Sequence, residues 1–193
     1  MTQRVVLMAA TSNKCSWTTS ELLENYHDNE WGIPLHDNLK LFEKLILEGH
    51  QAGLSWEIIL KRRKNLRSAY FNFDPNILKD LTNEDLNNYL TDNRVIKNRL
   101  KIKSVRDNAI AYFKVLEKHN SFNDYIWSFT NYKPIINNWQ THKEIPAKTE
   151  LSEKISKDLK KYGFKFVGPT IIYAFMQAVG IVNDHLITCD KRK

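Results

Sequence analysis

A single acidic residue stands in the apolar face of a predicted helix. In the stretch LKLFEKLILEGHQAGLSW, residues 39–56, Leu41, Leu45 and Glu48 are spaced i, i+4, i+7 and share one helical face. Burying a carboxylate is unfavourable by several kcal/mol unless something compensates. Because a glycine-containing segment and Trp56 follow directly, the pattern predicts a pocket for a flat, cationic ligand.

Two cysteines and two histidines could form a metal site. His185 and Cys189 are spaced i, i+4, so a helix would direct both at one point, and Cys15 and His27 lie far upstream. A Cys₂His₂ set has no open position and is typical of structural zinc. Spacing alone favours the plainer alternative, two free thiols and two ordinary histidines, because the pairs are so distant. Surface or core roles are expected for the remaining histidines, His36, His50, His119 and His142.

A glycine hairpin between two predicted helices could bind phosphate. The segment GFKFVGPT, residues 163–170, ends at a helix N-terminus, where free backbone N–H groups and a partial positive charge suit an anion. Lys165 within the hairpin fits the same use. An ordinary helix–turn–helix corner accounts for the spacing equally well.

The chain is basic, with a formal net charge of +7 and a pI of about 9.3. Such a balance favours a polyanionic partner, although many basic proteins bind no nucleic acid. Charge runs are usually solvated faces, but basic segments beside glycine hairpins favour contacts to a nucleic-acid backbone. The basic residues concerned are Lys61, Arg62, Arg63, Lys64, Arg67, Arg94, Lys97, Arg99, Lys101, Lys103 and Arg106.

Composition and periodicity predict an all-α protein, because Gly and Pro are scarce and apolar residues recur at helical spacing. We expect helices over 38–50, 55–70, 82–90, 95–117, 122–129, 149–162 and 169–180. Residues 15–31 are too polar and aromatic for a simple core helix. The long loop 132–148 predicts a connection between two lobes. Residues 14–193 would then form a single two-lobed domain. Residues 1–13 would form an N-terminal extension that could be disordered.

Cysteine usage and hydropathy indicate a cytosolic protein. No apolar run approaches membrane length, and the start MTQRVVLMAATSN has too short an apolar core for a secretory signal. With only Cys15 and Cys189, no disulfide framework is expected.

Three segments carry a family resemblance: YHDNEWG (26–32), LEGHQAGLSW (47–56) and KYGFKFVGPT…FMQAVGIVNDH (161–185). They are long, contain rare residues in fixed order, and closely resemble the 3-methyladenine DNA glycosylase I family of bacterial base-excision enzymes. The similarity runs from about Cys15 to Cys189. It implies an all-α helix–hairpin–helix glycosylase fold and a cytoplasmic, monomeric enzyme. The implied partner is alkylated double-stranded DNA, and 3-methyladenine is the product.

The resemblance also implies roles for particular residues. A structural zinc would join the two ends of the domain through Cys15, His27, His185 and Cys189. The lesion pocket would contain Glu48 and Tyr26 as catalytic residues, with Trp56, Trp17 and Trp31 around the base. The DNA surface would include Gly53, Leu54, Lys165, Gly168 and Thr170.

The chemistry implied by the resemblance follows from the substrate. Adenine alkylated at N3 is positively charged and already a good leaving group, so the enzyme extrudes the nucleotide, holds the cationic purine and lets water reach C1′. Other helix–hairpin–helix glycosylases use an Asp after the second hairpin helix. Some of them also use a Lys as a nucleophile. Here Asn183 stands nearest to the Asp position, with Asp184 beside it, and no Lys stands in the place of that nucleophile. We expect a monofunctional enzyme and assign no catalytic role to Asp184. The rival hypotheses are a non-catalytic, zinc-stapled DNA-binding module and a catalytic zinc hydrolase.

Overall fold

The computed structural model describes residues 13–192, and this part of the chain is mostly helical, as the sequence predicts. Of the predicted extension, only Asn13 falls within the described residues. Two short 3-10 turns lie at Phe71–Phe73 and His142–Glu144. The helices are α1 (Glu21–Asn29), α2 (Asn38–Gln51), α3 (Trp56–Ala69), α4 (Pro75–Leu78), α5 (Asn83–Asn88), α6 (Arg99–Leu116), α7 (Phe122–Ser128), α8 (Glu150–Tyr162) and α9 (Pro169–Ala178).

Helix α2 is the centre of the core. Asp37 caps it by accepting a hydrogen bond from the backbone N–H of Lys40 at 2.8 Å, and α3, α6, α7 and α9 pack around it. Residues 41–50 of α2 are all buried. Glu43 and Lys44 lie off the apolar stripe, but neighbouring helices cover them as well. Their burial is tolerated because Glu43 pairs with a guanidinium from α3 and Lys44 pairs with a carboxylate that follows α1.

Residues 15–31, which the sequence marks as too polar and aromatic for a simple core helix, contain α1. Ser20 begins α1 by accepting a hydrogen bond from the backbone N–H of Leu23. The helix buries Leu23, Tyr26 and His27 against a small second apolar cluster. Its aromatic and polar residues disguise the helical period, since they face a site rather than the main core.

The predicted start of the long basic helix at residue 95 is wrong, since α6 begins at Arg99. The Asn98 side chain accepts hydrogen bonds from the backbone N–H groups of Leu100 and Lys101, which fixes the N-terminus there. Val95 belongs to the preceding turn, where Arg62 donates a hydrogen bond to its carbonyl oxygen at 3.1 Å.

The boundaries of α8 and the start of α9 agree with the sequence prediction. Thr149 and Ser152 form a reciprocal capping box at the start of α8. Gly163 ends α8 with φ +102°, the left-handed conformation that glycine adopts without a Cβ clash. Pro169 then occupies the first turn of α9. The predicted end of that helix at residue 180 is two residues too late.

Two short strands pair the long loop with the segment that follows α9. β1 (Ile135–Ile136) lies in the predicted long loop and pairs in parallel with β2 (Val182–Asn183), Ile135 opposite Val182. The turn before β2 passes so close to the chain after α1 that a Cβ on Gly180 would clash with the backbone of Ile33. None of the helices in residues 13–192 is long and apolar enough to cross a membrane.

Candidate base-binding pocket and metal centre

An aromatic pocket of about 390 Å³ brings together the five residues that the sequence predicted around a ligand. These are Trp17, Tyr26, Trp31, Glu48 and Trp56, and Gln51, His142, Ile145, Ala174 and Gln177 complete the lining. A larger cavity, about 710 Å³, shares Trp31 with this pocket but includes neither Glu48 nor Trp56. The smaller pocket is therefore the candidate ligand site, because the unusual acid lies in it.

Glu48 is a buried carboxyl group without a hydrogen-bonding partner among residues 13–192. It is 3% exposed, and burial raises its pKa from the ordinary 4.5 to about 8, while the charge of Lys44 acts in the opposite direction. Its oxygens nevertheless remain accessible from the pocket. The fully buried, unpaired side-chain atoms of the described chain belong to other residues. Glu48 thus presents acceptor oxygens to any ligand that enters.

Lys44 is positively charged but engaged elsewhere. Its Nζ lies 2.7 Å from Glu30 and 4.7 Å from the centre of the Tyr26 ring. Arg63 binds the same carboxylate at 2.6 Å. Burial opposes ionisation of Glu30, yet the two cations outweigh burial and lower its pKa to about 2. The Lys44 charge is therefore largely balanced by Glu30, which leaves Glu48 as the acid of the pocket.

The Tyr26 hydroxyl is held in its neutral form. Burial raises the pKa of Tyr26 well above its ordinary value, and the neighbouring acids Glu48 and Glu30 raise it further. A neutral phenol can donate and accept hydrogen bonds but is a poor base. Tyr26 can therefore orient a ligand or a water molecule beside Glu48.

Aromatic rings form the walls of the pocket. The Tyr26 and Trp56 ring centres are 5.3 Å apart, and Trp17 meets Trp31 edge-to-face at 5.2 Å. The indole N–H of Trp56 is buried without a partner in the described chain. Such a cage suits a planar ring, and its π faces favour a cationic one.

Five lining residues were missed by the sequence predictions: Gln51, His142, Ile145, Ala174 and Gln177. A usable signal existed for Gln177, since it is the one uncharged polar amide in the apolar helix PTIIYAFMQA, an anomaly of the same kind as Glu48 in α2. His142 had no such signal, because the loop fold alone brings it to the pocket. There its Nε2 accepts a hydrogen bond from the backbone N–H of Ser16 at 3.1 Å.

Asp184 is buried behind the pocket and is fully engaged in hydrogen bonds. Its two oxygens accept from Asn137 Nδ2 and Trp139 Nε1, each at 2.7 Å, from the Tyr173 hydroxyl at 2.6 Å and from Gln177 Nε2 at 2.7 Å. Asp184 is 0% exposed and does not line the pocket. Its contacts tie the long loop to α9, which is a structural task.

Cys15, His27, His185 and Cys189 form a buried cluster whose ligand atoms all lie within 4.8 Å of one another. The Cys189 Sγ is 3.5 Å from His27 Nε2 and 3.4 Å from His185 Nδ1, and the Cys15 Sγ is 3.8 Å from His185 Nδ1. Tetrahedral zinc with thiolate and imidazole ligands requires ligand–ligand distances of roughly 3.3–3.8 Å. The donor set and these three Sγ–N distances therefore fit a metal with four protein ligands.

The outer nitrogen of each histidine also has the partner that metal ligation requires. His27 Nδ1 lies 2.7 Å from the Asp28 carboxylate, and His185 Nε2 lies 3.2 Å from the carbonyl oxygen of Trp31. Each outer nitrogen can donate its hydrogen to these acceptors, which leaves the inner nitrogen free to bind a metal. Burial lowers the pKa of His185 to about 4, so its ring is neutral, as a ligand must be.

The basic segments are divided between structural and exposed residues. Lys101 is buried, and its Nζ donates to the carbonyl oxygens of His50 and Ala52 at 2.9 and 2.7 Å, which fastens the end of α2. Structural partners also hold the side chains of Arg62, Arg63, Arg67, Arg94 and Arg106. Exposed basic residues are Lys61, Lys64, Lys97, Arg99, Lys103 and Lys165, and the paired Arg67 and Arg94 are exposed as well. The predicted basic surface is thus smaller than the charge count suggests.

The hairpin lies against α2, which places it near the pocket. Gly49 lies within α2, and a Cβ there would meet the Phe166 side chain of the hairpin at 3.0 Å. Its small size permits the close packing. Gly53 is exposed with φ +74°, and Leu54 beside it borders a surface cavity. Lys165 and Thr170 are exposed.

A model of the methyladenine glycosylase family matches residues 16–193. The chain therefore belongs to the methyladenine glycosylase family.

Individual relatives are similar to this chain over almost its whole length. DNA-3-methyladenine glycosylase 1 of Escherichia coli (strain K12) is 46% identical over 177 residues, covering 91% of this chain and 95% of the relative. A crystal structure of 3-methyladenine DNA glycosylase I is 44% identical, with a TM-score of 0.89, covering 92% of this chain and 98% of the other. A variant of 3-methyladenine DNA glycosylase I in complex with 3-methyladenine is 33% identical, with a TM-score of 0.91, covering 94% and 98%.

Proposed function

We infer that this chain is a DNA glycosylase that hydrolyses the N-glycosidic bond of 3-methyladenine in alkylated DNA, as part of base excision repair. The observation that carries the inference is Glu48, a buried, unpaired carboxyl group facing an aromatic pocket that fits one purine. The family membership and the named relatives, one of them bound to 3-methyladenine, support the same activity.

Glu48 is the proposed centre of lesion recognition. N3-alkylated adenine carries a positive charge and offers N–H hydrogens on its amine. Before the base binds, Glu48 is protonated. The positive charge of the incoming base lowers the pKa of Glu48 and favours release of its proton. The carboxylate then accepts hydrogen bonds from the base and balances its charge. Normal adenine brings no charge, so it leaves the carboxyl group uncompensated and is rejected.

The aromatic residues and Tyr26 complete the proposed site. Trp56, with Trp17 and Trp31 nearby, stacks on the extruded base, and cation–π attraction adds about 1–2 kcal/mol in a desolvated site. Tyr26 orients the base or the attacking water from beside Glu48. Because the cationic base leaves readily, water can attack C1′ of an oxocarbenium-like sugar. The roles of Glu48 and Tyr26 are thus to bind and orient the leaving base.

We propose that the hairpin and the α2–α3 turn bind the DNA. The hairpin Phe164–Gly168 of a helix–hairpin–helix glycosylase fold would grip the backbone through N–H groups near Gly168 and Thr170 and through the Lys165 charge. Gly53 and Leu54 would fill the gap left by the extruded nucleotide, as apolar wedges do. The exposure of Gly53, the position of the half-buried Leu54 at a surface cavity and the packing of the hairpin on α2 support this arrangement.

We propose structural zinc for the Cys₂His₂ cluster. Such a zinc joins the N-terminal segment at Cys15 to the C-terminal segment at Cys189 and supports α1, which carries Tyr26. A catalytic zinc hydrolase is disfavoured because four protein ligands leave no open position. The protein is further proposed to act as a monomer in the bacterial cytoplasm.

Incubation with alkylated duplex DNA tests the proposed function. We expect release of 3-methyladenine and an abasic, uncleaved strand, because no lysine is among the described residues lining the pocket and borohydride should trap no adduct. Glu48→Gln should stop release while leaving affinity for undamaged duplex nearly unchanged. Release of no base, or equal release of normal purines, would contradict the proposal.

Titration with free 3-methyladenine separates the enzyme from a non-catalytic DNA-binding module. Binding should quench the tryptophan fluorescence of the pocket, whereas a protein that only grips the DNA backbone should give no response.

A further inference from the structure

Gln177 is the lining residue whose orientation the structure specifies. It lies on α9, its backbone carbonyl oxygen accepts a hydrogen bond from the N–H of Gly32 at 2.9 Å, and its side-chain Nε2 donates to Asp184 at 2.7 Å. Both ends of the residue are therefore held. Its remaining polar atom, Oε1, accepts no hydrogen bond from residues 13–192 and is not sealed from solvent.

The direction of the Gln177 amide is fixed by its partner, Asp184. The carboxylate of Asp184 only accepts hydrogen bonds, so the side of Gln177 that faces it must be the NH₂ group. Three other donors already surround Asp184, from Asn137, Trp139 and Tyr173, so the carboxylate is fixed in turn. A flip of the Gln177 amide would bring its oxygen against that carboxylate and is unfavourable. The pocket therefore receives a fixed acceptor.

A fixed acceptor in the pocket can distinguish methylated adenine from methylated guanine by the group at C6. In DNA, 3-methyladenine has a single hydrogen-bond donor group, the exocyclic amine at C6. A guanine alkylated at the same nitrogen carries a carbonyl oxygen at C6, which an amide oxygen repels.

We propose that Gln177 is a specificity-determining residue whose Oε1, held in place by Asp184, accepts a hydrogen bond from the C6 amine of the lesion and disfavours 3-methylguanine. The proposal rests on the proposed function. Glu48 and Gln177 would then recognise different properties of the lesion. Glu48 recognises the charge that alkylation creates, and Gln177 distinguishes the two purines.

The test uses duplex DNA methylated so that it contains both 3-methyladenine and 3-methylguanine. The measured quantity is the ratio of the single-turnover release rates of the two bases, from one reaction. Gln177→Met keeps the length of the side chain but removes the amide, and the ratio should fall roughly tenfold, as expected for one lost hydrogen bond and one relieved repulsion. Gln140→Met, an exposed glutamine outside the pocket, is the matched control and should leave the ratio unchanged.

The possible outcomes are distinct. An unchanged ratio, or equal slowing of both bases, overturns the proposal, because a merely structural Gln177 would affect both lesions alike. If Gln177→Met does not fold, Gln177→Asn retains an amide that is too short to reach both Asp184 and the base, and the same fall is expected. If the unmodified protein releases no 3-methyladenine, the proposed function fails first, which the wild-type reaction alone reveals.

Discussion

Replacement of Glu48 by glutamine should stabilise the protein while removing its proposed activity. Glu48 is 3% exposed and unpaired in the described chain, and its pKa rises from 4.5 to about 8 on folding. Between these two values the unfolded chain is ionised and the folded chain keeps the proton. A raised pKa means that the associated stability is fully present below pH 4.5 and is lost as the pH rises through about 8.

The magnitude follows from the linkage between proton binding and folding. One bound proton changes the free energy of unfolding by about 1.4 kcal/mol per pH unit. Relative to Glu48→Gln, which does not titrate, the wild type should lose roughly 2.5 kcal/mol between about pH 5.5 and about pH 7.5. Urea unfolding of both proteins at the two pH values measures this difference, and the contributions of other titrating groups cancel.

A matched variant on the same helix provides the control. Glu43 is also buried, but its Oε1 accepts a hydrogen bond from Arg67 Nε at 2.8 Å. Glu43→Gln should therefore destabilise the protein, because it removes the charge partner of Arg67. If the stability difference between wild type and Glu48→Gln were the same at both pH values, the account of Glu48 as a buried carboxyl group with a raised pKa would be refuted.

Two further predictions concern the metal and the DNA surface. His27→Ala should abolish bound zinc, measured by elemental analysis of purified protein, and lower the unfolding temperature, because the tetrahedral set loses a ligand; a metal-free wild type, or full zinc in the variant, would contradict the proposed centre. Lys165→Ala should weaken binding to undamaged duplex and reduce the salt dependence of that binding by about one counterion. Lys40→Ala is its control, because Lys40 is exposed at the opposite end of α2 from Gly49, which packs against the hairpin. Equal effects of both variants would mean that the hairpin is not the contact surface.

Much of the fold followed from local chemistry in the sequence. Ser55, Thr82 and Thr149 each cap a helix where the sequence predicts its start, because an N-cap needs only an acceptor next to free backbone N–H groups. Gly163 and Pro169 likewise mark the hairpin. Failures occurred where distant parts of the chain decide. Nothing near Val95 shows that Arg62 holds it in a turn.

The site shows the same division. Periodicity identified Glu48 as an acid in an apolar face, and the family resemblance supplied its ligand and the set around it. Spacing alone disfavoured the metal cluster, because the loop closure that brings Cys15 to Cys189 cannot be read from intervals along the chain. The tertiary structure decided which basic residues are exposed, and it placed Gln177 and His142 in the pocket.

The sequence by itself determined the residue types available for chemistry, because helical spacing and capping act over a few residues. Only the tertiary structure decided their state. Desolvation raises the pKa of Glu48, and the Asp184 carboxylate orients the Gln177 amide. Both effects depend on which distant groups surround a side chain, which is a property of packing.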